Sequence, residues 1–515
     1  MNNTSILWAD DEIDMLKAQI KYLHDRGYDV TAVTNGQDAI EEMKNQEFDV
    51  VFLDESMPGL TGLETLPKIK NIDPNVPVVM ITKNEEENLM DEAIGSQIDD
   101  YLIKPVKPQQ IILTLKKLTD NKRLISEKTT SNYQQAFQTL FVQLSSNSSV
   151  SDWKETYKQL VFWELQLQNQ ETGMDEVLEM QKQEANNEFC KFVERNYKDW
   201  VHGGDDAPSM SHTIFKNSVM PLIDQQTPVF LVVIDNLRYD QWQMIQPMIS
   251  SLFRPQSDDM FFSILPTSTQ YSRNAIFAGL MPSEIERVYS EYWVNDEEQK
   301  GKNMFEEELL ETQLKRLNLH IKHSYQKITN NKAGKEMEDT ILNLLSNDLN
   351  VIVYNFVDML SHARTEMEVL KELASDERAY RSLTKSWFEH SPLFTALKKL
   401  VDKKVKIIFT TDHGTIRVQK PVKVVGDKNT STNLRYKTGK NLNYDAGEVF
   451  EMKKPGDIFL PTQHMTSSYV FARNSDFLAY PNNYNHYVNY YRDTFQHGGV
   501  SLEEVIIPFA VFESR

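Results

Sequence analysis

The chain has 515 residues, and its 55 Lys and Arg against 75 Asp and Glu give a formal net charge of −20. This length predicts about three domains, and a content of 25% charged and 40% hydrophobic residues excludes wholesale disorder. An acidic surface repels duplex DNA, because non-specific binding requires Lys and Arg to neutralise phosphates. We therefore expect no duplex DNA binding.

The sequence also limits the compartment of the protein. The first residues lack a basic stretch followed by an apolar one, so we expect no signal peptide. Apolar runs are too short to span a bilayer, so we expect no membrane insertion. The single cysteine, Cys190, excludes an intramolecular disulfide and a thiolate metal cage, and we expect it to be a buried helix residue. These features predict a soluble, cytoplasmic protein.

Residues 1–120 alternate short apolar strands with amphipathic helices. Five such repeats predict an α/β domain with a flavodoxin-like, doubly wound parallel sheet. The predicted strands are Ser5–Ala9, Val30–Val33, Asp49–Leu53, Val78–Ile81 and Tyr101–Ile103, and the predicted helices are 13–23, Gln37–Lys44, Leu63–Asn71, Leu89–Ile94 and one starting at Gln109.

Residues 121–205 change character. No proline occurs between Pro108 and Pro208, and glycine is rare before the linker at residues 202–208. This composition predicts a helical bundle of two or three helices, with breaks near residues 145–149 and at Gly173. Its position predicts that these helices connect two α/β domains.

From residue 206 to the end the α/β pattern returns. Three continuous apolar runs, Val229–Ile234, Asn350–Val357 and Val405–Thr410, predict parallel strands buried on both faces. Residues 424–460 are rich in Lys, Asn, Gly and Asp and predict an exposed insertion or hairpin. We therefore expect domains at 1–120, 121–205 and 206–515.

In the first domain, polar residues follow the predicted strands. Asp10 and Asp11 follow the first strand, Asp54 the third, Thr82 the fourth and Lys104 the fifth. Ligands bind at that edge of an open parallel sheet. Three converging carboxylates repel one another and favour a hard cation such as Mg²⁺. The cation and a lysine could stabilise a phosphoryl group that arrives at a carboxylate nucleophile.

These residues resemble the receiver domain of response regulators over the first 120 residues. The resemblance implies that Asp54 accepts phosphate from a sensor histidine kinase. It implies that Asp10, Asp11 and Asp54 hold Mg²⁺, that Thr82 and Lys104 contact the phosphoryl group, and that Tyr101 is the switch aromatic. It also implies phosphorylation-dependent homodimers.

In the last domain, Asp and His follow the three buried runs. Asp235 follows the first, Asp358 the second, and Asp412 and His413 the third. Asp358 and His362 share a face if the chain turns helical there, and His497 lies beside two glycines. Asp and His without Cys suit Zn²⁺ or Mn²⁺, with enough ligands for two ions. A site with two ions would bind both the attacking and the leaving oxygen of an in-line phosphoryl displacement.

The order of these residues resembles the alkaline-phosphatase superfamily over about residues 225–512, above all its PglZ branch. The resemblance implies two Zn²⁺ ions and a threonine nucleophile. One zinc would be held by Asp235, Thr269, Asp412 and His413, and the other by Asp358, His362 and His497.

The nucleophile is chosen by spacing. In the related phosphodiesterases the nucleophile precedes a Gly-Leu-x-Pro motif by a fixed number of residues, and counting back from Pro282 selects Thr269. Thr267 is the alternative. Ser272 stands at the position of the family's phosphate-binding Asn, so Ser272, Arg273 and Asn274 are candidate substrate-binding residues.

A receiver, a helical connector and a phosphatase-like domain in this order resemble the response regulators of the type IX secretion system. The resemblance implies sigma-factor or secretion-system partners. Our hypothesis is that the output domain is a zinc-dependent phosphodiesterase, with short or cyclic oligonucleotides as preferred substrates. One alternative is a phosphorylation-regulated adaptor that binds such partners with little or no catalysis. A DNA-binding regulator is the other, but no helix-turn-helix segment follows the receiver.

Overall fold

The computed structural model describes the chain in several stretches that together include all the candidate site residues. They are residues 4–83, 98–146, 149–168, 174–296, 298, 301–367, 372, 374, 376–427, 430–480 and 484–515. The chain divides into two compact units, one of residues 1–134 and one of residues 135–169 and 173–515. Within the described residues, no helix combines the length and apolar composition needed to cross a membrane.

The first unit contains a five-stranded parallel sheet, as predicted, and its strand order is β2-β1-β3-β4-β5. The central strand β3 is buried along its whole length, which suits its continuous apolar sequence. Thr61 and Glu64 form a capping box that starts the third helix. The predicted helix Leu89–Ile94 lies outside the described residues. The strands are β1 Thr4–Ala9, β2 Tyr28–Val33, β3 Val50–Asp54, β4 Val78–Thr82 and β5 Asp100–Ile103, and the helices are α1 Lys17–His24, α2 Gly36–Asn45 and α3 Gly62–Ile72.

Three helices follow, in agreement with the predicted helical connector. The first, α4 (Pro108–Ser146), begins in the first unit and ends in the second. Ser149 caps α5 (Val150–Leu167), and α6 (Asp175–Val201) follows. Cys190 lies buried on α6, as expected, and its thiol donates to the Val500 carbonyl at 3.2 Å.

The second unit is built on a six-stranded mixed sheet with the order β7-β18-β10-β6-β9-β8. Strands β10, β6, β9 and β8 are parallel, whereas β18 runs antiparallel to β10 and to β7. Every residue of β6 and β9 is buried, as the apolar runs predict. The strands are β6 Val229–Ile234, β7 Arg254–Phe262, β8 His323–Ile328, β9 Leu349–Tyr354, β10 Lys406–Thr410 and β18 Ile506–Glu513.

Helices and small sheets surround this sheet. The small sheets pair β11 with β17, pair β12 with β16, and order the rest as β13-β15-β14. The helices are α7 Tyr239–Leu252, α8 Thr269–Ala278, α9 Pro282–Val288, α10 Glu306–Arg316, α11 Asn331–Thr340, α12 Phe356–Glu366, α13 Glu377–His390, α14 Pro392–Leu400, α15 Tyr484–Tyr491 and α16 Leu502–Val505, and the remaining strands are β11 Ile416–Arg417, β12 Lys420–Lys423, β13 Tyr436–Lys440, β14 Val449–Met452, β15 Ser467–Ala472, β16 Asp476–Ala479 and β17 Phe495–Gln496.

Two expectations about this domain were wrong in part. The predicted strand Asn350–Val357 ends at Tyr354, and Phe356 already starts α12. The predicted exposed insertion at 424–460 contributes β13 and β14, and Val424 and Val449 lie buried in an apolar cluster with residues of β12, β15 and β16. The polar composition of residues 424–460 predicted exposure, although a few apolar residues at alternate strand positions pack this segment into the domain.

Candidate functional site

The carboxyl ends of three neighbouring parallel strands bring the metal-type residues together. Asp235 follows β6 directly, and Asp412 and His413 come just after β10. Asp358 lies in the first turn of α12, which starts right after β9. Because β10, β6 and β9 are adjacent and parallel, these residues meet at one edge of the sheet.

The first cluster consists of Asp235, Asp412 and His413, all fully or almost fully buried. Ligand atoms from the three residues lie within 4.8 Å of one another. His413 Nε2 is 3.9 Å from Asp235 Oδ1 and 3.7 Å from Asp412 Oδ2. Its other ring nitrogen, Nδ1, lies 3.0 Å from the Gly414 carbonyl, a contact that orients the imidazole.

The second cluster consists of Asp358, His362 and His497, again with ligand atoms within 4.8 Å of one another. His362 Nε2 is 3.5 Å from Asp358 Oδ2, and His497 Nε2 is 3.7 Å from Asp358 Oδ1. Asp358 and His362 share one face of α12, as their spacing predicts. The His497 ring stacks on His413 with centroids 4.2 Å apart, so the two clusters are adjacent.

Thr269 is the first residue of α8, and its side chain points at the first cluster. Thr269 Oγ1 lies 3.0 Å from His413 Nε2 and 3.4 Å from Asp235 Oδ1. At this position the hydroxyl experiences the positive end of the helix dipole. The helix runs from Thr269 to Ala278, so the hydroxyl lies in its first turn.

The alternative nucleophile, Thr267, has a different environment. Its hydroxyl donates to the Gly499 carbonyl at 2.9 Å and accepts from the Gly498 N–H at 3.1 Å. The Thr267 carbonyl lies 3.2 Å from His497 Nδ1. Thr267 thus holds the loop that carries His497 instead of facing the first cluster.

The donor set fits divalent metal ions. Burial raises the pKa of Asp235 well above its usual value, and the charges of Asp412 and Asp358 raise it further, although Arg273 opposes the rise. Burial also lowers the pKa of His497, with His413 and His362 adding to the effect, so the imidazole is held neutral, the form that binds metals. Asp412 Oδ2 is buried and accepts no hydrogen bond from the described residues. A bound cation would offset the charge of the two carboxylates and accept the lone pair of the neutral imidazole.

The three candidate substrate-binding residues make contacts within the protein. Ser272 Oγ donates to the Ser268 carbonyl at 3.1 Å and accepts from the Ser268 N–H at 3.2 Å, so it braces the start of α8. Asn274 donates to the Lys302 carbonyl at 3.2 Å. Arg273 is buried and pairs with Asp235 at 2.7 Å and with Glu306 at 2.6 Å. All three side chains are therefore buried and bonded to other parts of the protein, and none of them lies at an open surface.

Sequence reasoning missed Asn236, which connects the two clusters. Its N–H donates to Asp412 Oδ1 at 3.3 Å, and its side-chain amide donates to Asp358 Oδ1 at 3.4 Å. Its backbone is left-handed, with φ of 63°. Asn is one of the few residues that adopt this conformation readily, and an Asn directly after a strand-end Asp is the signal that could have identified it.

The receiver-like residues also converge. Ligand atoms of Asp10, Asp11 and Asp54 lie within 4.8 Å of one another. Lys104 Nζ is 2.9 Å from Asp54 Oδ2 and 3.0 Å from Asp10 Oδ2. Burial raises the pKa of Asp54 despite its hydrogen bond from Lys104, and the charge of Asp10 adds to the rise. A divalent cation held by these three carboxylates would offset that repulsion.

The two predicted switch residues, Thr82 and Tyr101, lie on β4 and β5. Thr82 donates a hydrogen bond to the Glu55 carboxylate. Tyr101 is 41% exposed, so its ring lies at the surface. Their role as a switch stays a prediction.

Three family models match the chain. The response regulator receiver domain matches residues 6–116, the PorX response regulator linker domain matches residues 123–201, and the BREX system PglZ alkaline phosphatase-like domain matches residues 214–512. Together they give a PorX-type architecture. The third match alone spans more than half of the chain.

The curated relatives match the receiver. The chain is 35% identical over 119 residues to the transcriptional regulatory protein ZraR of Klebsiella oxytoca, a match that covers 23% of this chain and 27% of ZraR. It is 29% identical over 115 residues to the chemotaxis protein CheY of Thermotoga maritima, covering 22% of this chain and 96% of CheY. The chain spans 27% to 49% of the length of the first five curated relatives.

Among solved structures, the chain is similar to the chemotaxis protein CheY4 of Vibrio cholerae. The match has 26% identity and a TM-score of 0.22, and covers 22% of this chain and 98% of that chain.

The receiver and its acidic pocket, joined through helices to a phosphatase-like domain, define a two-component response regulator with a hydrolase-type output domain. A receiver implies phosphorylation by a histidine kinase and often dimerisation, and both kinds of domain are metal-dependent. The chain belongs to the PglZ family of alkaline phosphatase-like proteins.

Proposed function

We propose that the output domain is a zinc-dependent phosphodiesterase with Thr269 as nucleophile, and that phosphorylation of Asp54 controls it. The observation that carries this proposal is the position of Thr269 Oγ1, 3.0 Å from His413 Nε2 and 3.4 Å from Asp235 Oδ1, at the start of α8. A hydroxyl placed among metal-type ligands and a helix N-terminus is suited to attack phosphorus.

Zinc suits the two clusters because their donors are Asp and His without Cys. Asp235, Asp412, His413 and Thr269 would hold one zinc ion, and Asp358, His362 and His497 would hold the other. Zinc bound there would neutralise the carboxylates and supply positive charge beside the Thr269 hydroxyl and the leaving oxygen. Asp10, Asp11 and Asp54 would hold a magnesium ion in the receiver.

The reaction follows from the position of the hydroxyl. Thr269 Oγ forms a bond to phosphorus while the bond from phosphorus to the leaving alkoxide breaks. Water then attacks the phosphorus, frees Thr269 and releases the phosphomonoester. The N-terminus of α8 stabilises the phosphoryl anion during both steps.

Short or cyclic oligonucleotides are the proposed substrates. A net charge of −20 opposes binding of long duplex DNA, while a short phosphodiester requires only the local positive charge of the loaded clusters. The PorX-type linker supports a role in regulating type IX protein secretion, through secretion-system or sigma-factor partners.

The test uses the zinc-loaded full-length protein and an aryl phosphodiester. Thr269→Ala should lower kcat by about a thousandfold or more, because the nucleophile is lost, whereas Thr269→Ser should retain turnover. Thr267→Ala serves as the comparison, since its hydroxyl only bridges Gly498 and Gly499.

Two results contradict the proposal. If the wild type cleaves no phosphodiester, the adaptor alternative replaces the enzyme. If Thr269→Ala remains active while Thr267→Ala is inactive, the nucleophile is Thr267.

A further inference from the structure

A cavity of about 360 Å³ lies beside β13, formed by residues of the 424–491 region. Its apolar lining includes Leu434, Leu478 and Ala479, and its aromatic lining includes Tyr480 and Tyr487. The volume lies in the range of small-molecule sites, which combine apolar and aromatic walls with a few polar groups. We call it the Lys437 cavity, after its one lining cation among the described residues.

Lys437 is an unusual residue in this cavity. It is only 6% exposed, and its Nζ donates to the Ser431 carbonyl at 3.0 Å. Asp427 also lines the cavity, but among the described residues no carboxylate lies within ion-pair distance of Lys437. Buried lysines are rare unless paired. The buried Arg435, two residues earlier, has such a partner, Glu504, at 2.6 Å.

Burial has the expected consequence for the ammonium group. It lowers the pKa of Lys437 to about 8, because no nearby charge compensates the lost hydration. An anion in the cavity would supply that compensation. The hydroxyl-bearing residues Thr430, Ser431 and Thr432, which also line the cavity, offer further hydrogen bonds to such an anion.

The aromatic lining indicates which chemical group could lie beside the anion. Tyr487 is 42% exposed and Tyr480 is 41% exposed, so their rings are accessible. Tyr487 stacks on Tyr491 at 14° between the ring planes, with centroids 6.2 Å apart. Exposed tyrosine rings supported in this way are suited to stacking a flat base.

We propose that the Lys437 cavity binds a nucleotide, with its phosphate at Lys437 and its base against Tyr487. The choice of a nucleotide over other aromatic anions rests on the proposed function. The cavity is separate from the metal clusters, because none of their ligands lines it.

The cavity and the candidate active site share β13. Lys437 lines the cavity, while its neighbour Tyr436 hydrogen-bonds Asp296 at 3.2 Å and lies against Gly498, next to His497. Successive strand residues point to opposite faces, so Lys437 faces the cavity and Tyr436 faces the side where Gly498 lies. The nucleotide is either the far end of an oligonucleotide substrate or a free mononucleotide.

The test measures binding of guanosine monophosphate to the zinc-loaded full-length protein by calorimetry. Lys437→Met and Tyr487→Ala should each weaken binding at least tenfold, whereas His362→Ala, in the second metal cluster, should retain it. Tyr490→Ala on the same helix and Lys423→Met on an exposed position of β12 are matched controls that should bind like the wild type, since neither residue lines the cavity. Thermal denaturation checks that Lys437→Met is folded.

The outcomes separate this inference from the proposed function. Two results overturn the Lys437 cavity as a nucleotide site. In the first, the protein cleaves the aryl phosphodiester but binds no nucleotide. In the second, His362→Ala abolishes nucleotide binding and Lys437→Met leaves it unchanged. Binding without any cleavage supports the cavity and contradicts the phosphodiesterase proposal alone.

A second pair of measurements identifies the source of the nucleotide, and either result supports the cavity. If Lys437→Met raises the KM for a dinucleotide more than that for the aryl ester, the cavity holds the far end of the substrate. If added guanosine monophosphate changes aryl ester cleavage by the wild type but not by Lys437→Met, the ligand is a free mononucleotide.

Discussion

Two residues of one short segment, Thr267 and Thr269, have the same side chain and different environments. Thr269 Oγ1 faces His413, whereas Thr267 Oγ1 bridges the backbone of Gly498 and Gly499. A hydroxyl that both donates to and accepts from backbone groups is less available for attack. The two hydroxyls differ in availability because the side chains point in different directions at the start of α8.

Replacing Asn236 tests whether its hydrogen bonds to Asp412 and Asp358 support metal binding by the two clusters. Asn236→Gly removes the amide that contacts Asp358 at 3.4 Å but tolerates the φ of 63°. We expect zinc affinity to fall by about tenfold or more, because groups that hold metal ligands contribute on that scale, with little change in thermal stability. Chelator competition and thermal denaturation measure the two quantities.

Asn236→Ala is the matched variant. It loses the same contact and also places a Cβ in the left-handed region, which costs about 1–2 kcal/mol. We therefore expect it to bind zinc as poorly as Asn236→Gly and to unfold at a lower temperature. Wild-type zinc affinity in both variants would remove Asn236 from the metal site.

At the scale of elements, the parallel strands and the order of the site residues were accessible from sequence. The run Val229–Ile234 ends as predicted, because a charged residue, Asp235, directly follows it. The end of β9 was not predictable, since Phe356 and Val357 extend the apolar run although they belong to α12. A short apolar run does not distinguish a buried strand from the start of a helix.

The surroundings of Arg273 were also beyond sequence reasoning. A cation beside a nucleophile motif resembles a phosphate ligand, but its partner Glu306 lies on α10, far along the chain. Only the packing of α10 against α8 brings that carboxylate to the guanidinium. Its second partner, Asp235, likewise comes from another element, the end of β6.

The connector helices α5 and α6 pack on the output domain through buried charges and rings. Arg381 of α13 is 2% exposed and contacts Glu164 of α5 at 2.5 Å and Asp240 of α7 at 3.0 Å. Lys182 of α6 contacts Glu164 at 2.8 Å. Trp200 of α6 packs on Phe262 with ring centroids 5.5 Å apart.

A fragment of residues 206–515 should therefore be less stable than one of residues 135–515. Removing Glu164 leaves Arg381 with an incomplete set of partners, and breaking a buried ion pair costs about 3–5 kcal/mol. Loss of the aromatic contacts adds exposed apolar surface. We expect a Tm at least about 5 °C lower by calorimetry, or aggregation. Equal Tm values for the two fragments would show that the connector does not support the output domain.

At the scale of the whole molecule, a small part of the acidity lies buried at two sheet edges. The chain has a net charge of −20, and Asp10, Asp54, Asp235 and Asp412 are buried at two sheet edges. Buried carboxylates without a cation are costly, so metal loading and stability should be coupled. The same principle explains how an acidic protein could bind an anionic substrate locally.

The last prediction concerns the connection between the receiver and the output domain. Asp54→Ala removes the carboxylate that we propose as the phosphate acceptor and that Lys104 contacts at 2.9 Å. Acetyl phosphate with magnesium should convert the wild type to a dimer and change its rate of aryl phosphodiester cleavage, and Asp54→Ala should show neither effect. Asp25→Ala, an exposed carboxylate at the end of α1, is the matched control and should respond like the wild type. Light scattering gives the mass, and a steady-state assay gives the rate. If Asp54→Ala dimerises as the wild type does, phosphorylation at this residue is not the switch, because the receiver then changes its association without the acceptor carboxylate.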